Sequence, residues 1–75
     1  MITVLFFGKL AEVAESSVEV QKVSSTDELL AKLYAQYPLL ASEKFVMAVD
    51  KKIVSVNTIL SDHSTVALLP PFSGG

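Results

Sequence analysis

One segment constrains the fold more than any other. Ser25-Thr26-Asp27-Glu28 has the form of a helix capping box, a hydroxyl residue answered three positions on by a glutamate. Asp27 and Glu28 also fall in the first turn, where a helix dipole favours negative charge. Leu29, Leu30, Leu33, Tyr34 and Tyr37 then recur at helical spacing. Pro38 biases Tyr37 away from helical backbone and ends the run. The pattern predicts one long helix starting at Ser25, with a single apolar stripe and a favourable Glu28–Lys32 pair on its edge.

Most of what surrounds that helix has the alternation of strands. Ile2 to Phe7 is rich in β-branched and aromatic residues and stops at Gly8. Leu10, Val13 and Ala14 suggest a short helix. Ser17 to Lys22 alternates, with Val18 and Val20 inward. After a loop or brief turn over Leu39 to Lys44, Phe45 to Val49 predicts a third strand. A polar turn, Asp50-Lys51-Lys52, leads to a short return strand at Ile53-Val54. Ser55 to Leu60 has no clear period. Ser61 to Ser64 has turn composition, and Thr65 to Leu69 is the last strand. Pro70-Pro71 removes two backbone donors and closes it. The order β-β-α-β-β-β predicts an α+β domain, its one main helix packed on one face of a mixed sheet.

The chain has 75 residues, room for one core, and no cysteine. Disulfides and thiolate metal sites are therefore excluded, and the only histidine, His63, makes a metal centre improbable. All six basic residues are lysines and the net charge is −2, which argues against nucleic-acid binding. No apolar run is long enough to span a membrane. Met1 leads straight into a strand pattern without a signal-like segment, so a cytoplasmic location is expected.

Side-chain catalysis finds no support. Ser61, Asp62, His63 and Ser64 are neighbours in a turn and point in different directions, whereas a triad needs a spatial relay. Glycines at 8, 74 and 75 cannot build a phosphate loop. Lys51-Lys52 reads first as a solvated turn, with an electrostatic handle for an acidic partner as the alternative.

The chemistry points instead to the tail. Leu69 is followed by Pro70-Pro71-Phe72-Ser73-Gly74-Gly75. Two prolines favour an extended spacer, and two glycines let a backbone enter a channel where a Cβ would clash. The reactive group at the tip is the Gly75 α-carboxylate, a poor electrophile until activated, for example as an acyl-adenylate. A protein whose reactive atom sits on its own tail would be a carrier, with the catalytic side chains on its partners.

The segments Ile2 to Gly8 and Ala48 to Gly75, above all the Pro-Pro-x-Ser-Gly-Gly ending, resemble the ubiquitin-like β-grasp sulfur carriers, in particular the small subunits of molybdopterin synthase. The related thiamine sulfur carriers usually lack the Pro-Pro pair, and Phe72 stands where the family commonly has a smaller β-branched residue. The resemblance implies a β-grasp fold over residues 1–75, with residues 70–75 as a protruding tail. It implies no bound cofactor and no metal; ATP is used by a ubiquitin-activating-type adenylating enzyme, which acts on Gly75. The resulting thiocarboxylate would donate sulfur to cyclic pyranopterin monophosphate inside the large catalytic subunit, with Gly74 giving the slim approach. A thiamine-thiazole or other sulfur relay, a modifier conjugated to lysines, and a binding module with an inert tail stay open as alternatives.

A partner surface is expected beside the tail. Thr3, Leu5 and Phe7 make the second face of the first strand unusually apolar, and Ala67 and Leu69 match it if the first and last strands are neighbours. Leu5, Phe7 and Leu69, with Pro70, Pro71, Phe72, Ser73 and Gly74, are the expected contacts. The competing reading covers this face with the Leu10–Ala14 or Ser55–Leu60 segment.

Overall fold

The structure, a computed structural model, describes residues 1–71. Five strands form one mixed sheet: β1 (Ile2–Phe6), β2 (Ser17–Val20), β3 (Val46–Val49), β4 (Lys52–Val54) and β5 (Thr65–Leu69). Their spatial order is β2-β1-β5-β3-β4. β1 and β5 run parallel, and every other neighbouring pair is antiparallel. A short α1 (Lys9–Val13) follows β1, and α2 (Thr26–Gln36) crosses one face of the sheet before a 3₁₀ turn over Pro38–Ser42. This is the β-grasp arrangement.

Alternation decides which face meets the helix. Along β1, Ile2, Val4 and Phe6 are buried while Thr3 and Leu5 are half-buried; β5 repeats the pattern with Val66 and Leu68 inward. Leu29 and Leu33 of α2 complete the core with Leu10, Leu40, Met47, Val49 and Leu60. Each fully buried leucine contributes about 1.5–3 kcal/mol of transfer free energy. Tyr37, capping α2 at its C-terminal end, turns its ring edge-on to Phe6 at 6.1 Å.

The start of α2 differs from expectation in its partners. Ser25 Oγ accepts the Glu28 N–H (3.3 Å), as a capping residue does. The Glu28 carboxylate, however, reaches Ser24 rather than Ser25, accepting from both its N–H and its hydroxyl at 2.7 Å. Lys32 does not close on Glu28; its ammonium donates to the Gln21 carbonyl (2.9 Å) at the end of β2. Each side chain has found a backbone-fixed partner, which costs less side-chain freedom than a two-sided surface ion pair.

The unassigned Ser55–Leu60 stretch belongs to this same corner. Thr26 donates its N–H to the Thr58 carbonyl (2.9 Å), and Leu60 donates to Ser24 (2.8 Å). Asn57 Oδ1 accepts the Asp27 N–H (2.9 Å), and Thr58 N–H returns to Thr26 Oγ1 (2.9 Å). The segment thus satisfies two N–H groups at the start of the helix that have no partner within it.

The β3–β4 hairpin is tighter than its composition suggests. Val49 pairs with Lys52, so the loop is Asp50-Lys51 alone, and Lys52 belongs to the strand. Both loop residues have positive φ, 49° and 72°, as in the primed turns that suit strand twist. Asp50 tolerates this because Thr65 holds it from both sides: Asp50 N–H donates to the Thr65 carbonyl (2.8 Å) and its carboxylate accepts the Thr65 N–H (2.9 Å).

Candidate functional site

The sheet face opposite α2 is open. Strand register places Leu5, Ala67, Ala48 and Ile53 in one row across β1, β5, β3 and β4. With Phe7 and Leu69 they line a groove of about 570 Å³. Two alanines make a low floor, and the longer apolar side chains form its walls. Neither segment that could have covered this face does so: Leu10 and Leu60 are both buried in the core on the helix side. Phe7 is left 43% exposed and Ile53 65%. Asp50 and Lys51 stand at one end of the groove.

At the other end β5 runs into the tail. Leu69 pairs with Val46, and Phe7 N–H donates to the Leu68 carbonyl (3.1 Å). Pro70 is half-buried and Pro71 exposed. The expected contacts Leu5, Phe7, Leu69, Pro70 and Pro71 therefore lie on or beside one surface. Phe72, Ser73, Gly74 and Gly75 lie outside the described residues.

Two residues of this region escaped sequence reasoning. In the sequence Ile53 is only part of a return strand; the two-residue loop aligns it with Ala48 and puts it on the open face. In the sequence Gly8 marks only a strand end. Its φ of +59° is one that residues with a Cβ rarely adopt, and a Cβ there would lie 2.8 Å from Cγ of Pro70. A glycine directly after a strand was the available signal; its distant partner was not.

The Ser61–Ser64 turn contains no catalytic relay. The two serine hydroxyls pair with each other (3.1 Å), Ser64 Oγ also accepts the Ser61 N–H (3.0 Å), and His63 donates its N–H to the Met1 carbonyl (3.0 Å) at a φ of 71°. Among the described residues, no group of three or more His, Asp or Glu side chains could hold a metal ion, and no helix is long and apolar enough to cross a membrane.

The groove ends at Leu69, beside Pro70 and Pro71. The ThiS family model matches residues 4–75, including Phe72 to Gly75. The chain belongs to the ThiS family. This ThiS-family chain is 37% identical to the molybdopterin synthase sulfur carrier subunit of Chlamydomonas reinhardtii over 81 aligned positions, which take in 99% of the chain and 98% of that relative. Two solved structures share its fold. The crystal structure of SAMP1 from Haloferax volcanii superposes with a TM-score of 0.77 at 24% identity, covering 99% of this chain and 98% of that one. The Pyrococcus furiosus protein provisionally named molybdopterin converting factor, subunit 1, gives 0.79 at 20% identity, covering 95% and 97%.

Proposed function

We propose that this ThiS-family chain is a sulfur carrier that serves as the small, non-catalytic subunit of molybdopterin synthase. The near full-length likeness to a relative of that name carries the reading. The Gly74-Gly75 ending inside the family match supports it. In this reading a ubiquitin-activating-type enzyme lets a Gly75 carboxylate oxygen attack the α-phosphorus of ATP. Pyrophosphate leaves and an acyl-adenylate forms. A sulfide-level sulfur nucleophile then displaces AMP and leaves a terminal thiocarboxylate. The open groove docks on the large subunit, and the tail delivers sulfur to cyclic pyranopterin monophosphate, two charged carriers being consumed per dithiolene. The acids and bases of that step belong to the partner.

Sulfur delivery to a thiamine thiazole would use the same Gly75 chemistry; Pro70-Pro71 favours the molybdopterin branch. Incubation with the host's adenylating enzyme, ATP and a sulfur source tests the proposal by intact mass. The expected gain equals replacement of one oxygen by sulfur, and deleting Gly75 abolishes it. Added large subunit and cyclic pyranopterin monophosphate should then yield molybdopterin. No mass gain, with an enzyme that charges a control carrier, would overturn the proposal. Accumulation of the chain on lysines of other proteins would point to a modifier instead.

A further inference from the structure

We infer that Gly8 is a positioning residue for the tail: its bare α-carbon is the seat on which Pro70 rests, and this contact sets the heading with which the chain leaves the sheet. The inference rests on the carrier reading above, because heading matters only if the tail must enter a partner's site.

Backbone hydrogen bonding holds β5 in place as far as Leu69. Phe7 N–H donates to the Leu68 carbonyl (3.1 Å), and Val46–Leu69 is the last register pair on the β3 side. Pro70 has no N–H to donate, so its own amide can add no further rung. Control of the chain's direction then passes from hydrogen bonds to steric contact. Gly8 lies against the proline ring, and a Cβ there would meet Cγ of Pro70 at 2.8 Å and Cδ at 3.6 Å. The proline ring is closed onto the backbone and cannot swing aside as a flexible side chain would, so a methyl group at position 8 must displace the chain at Pro70 itself.

Gly8 is in turn well anchored. Leu10, two residues on, is buried in the core. Leu10 N–H donates to the Phe7 carbonyl and Ala11 N–H to the Gly8 carbonyl, both at 3.1 Å. The β1–α1 turn therefore has little freedom to yield, and its φ of +59° at Gly8 is itself hard for any other residue to reproduce.

Steady-state kinetics of carboxylate activation test this, with the full chain as substrate for the host's adenylating enzyme and ATP–pyrophosphate exchange as readout. Gly8→Ala should lower kcat by about tenfold or more, as small misplacements of a reacting group do, while KM stays within about twofold. Pro70→Ala, which removes the ring, should lower kcat several-fold with little change in Tm. The double variant Gly8→Ala/Pro70→Ala should fall no further than Pro70→Ala alone, because the clash is gone, although the strained φ keeps its Tm low. Multiplicative losses in the double variant, or a folded Gly8→Ala with unchanged kcat, would overturn the inference alone. If Gly8→Ala does not fold, Pro70→Ala decides: an unchanged kcat there overturns it. A wild-type chain that is never activated by an enzyme proven on a control carrier overturns the carrier reading and this inference together.

Discussion

The carboxylate of Glu28 shows how a single side chain ties the sheet's connection to the helix. It takes two hydrogen bonds from Ser24, which hold its pKa below the ordinary value of 4.5, the hydroxyl's bond being the larger cause and the positive charge of Lys32 a lesser one. A depressed carboxyl pKa stabilises the fold above the unfolded value, and that contribution fades as pH falls through the folded one. Ser24→Ala removes the larger cause and leaves the backbone bond. Carboxyl-detected NMR titration should show the Glu28 pKa rising part of the way back to 4.5; an unmoved midpoint would disprove the assignment. The capping box was legible because hydroxyl and glutamate stand at a fixed spacing. Its outward half was not, since Ser24 and Ser25 are both serines and only the folded backbone chooses between them.

Among the elements, those with a strong period were legible and those held by distant partners were not. β1, β5 and the Leu29–Leu33 stripe of α2 emerge from alternation and helical spacing alone. The Ser55–Leu60 segment has no period because its bonds run to Ser24, Thr26 and Asp27 rather than along a ladder. Gly8 shows the same limitation, its meaning lying in a proline at the far end of the chain. Asn57 offers a check at this scale. Its side-chain oxygen takes the Asp27 N–H across a tertiary contact, as a local cap would. Asn57→Ala should cost about 1 kcal/mol in urea denaturation, the usual worth of a helix-capping oxygen. A loss below about 0.3 kcal/mol would mean that water replaces it without penalty.

For the whole molecule, the two sheet faces divide the labour: one is sealed by α2 and the other is left open beside the tail. The sequence already showed too many apolar residues on the second face of β1, but not that the covering segments would fold away from it. Ile53 is the sharpest probe. It is exposed, so Ile53→Glu should change unfolding free energy by no more than about 0.5 kcal/mol. The same change places a charge in the apolar groove and, in the proposed role, should weaken binding to the large subunit of molybdopterin synthase by at least about tenfold, measured by calorimetry. Unimpaired binding would move the docking surface elsewhere.

The position of β5 has a consequence for how such a chain matures. It is the central strand of the sheet, yet it follows all the others in sequence, and its parallel pairing with β1 joins residues some sixty positions apart. In the sheet, β5 is the strand that joins the β1–β2 pair to the β3–β4 pair, so that long loop must close before the two pairs share one sheet. The strand that completes the fold is also the one that carries the tail. In the carrier reading proposed above, a partner that recognises the groove and the departing chain together engages finished molecules and passes over unfinished ones, so that loading with cargo doubles as an inspection of the fold.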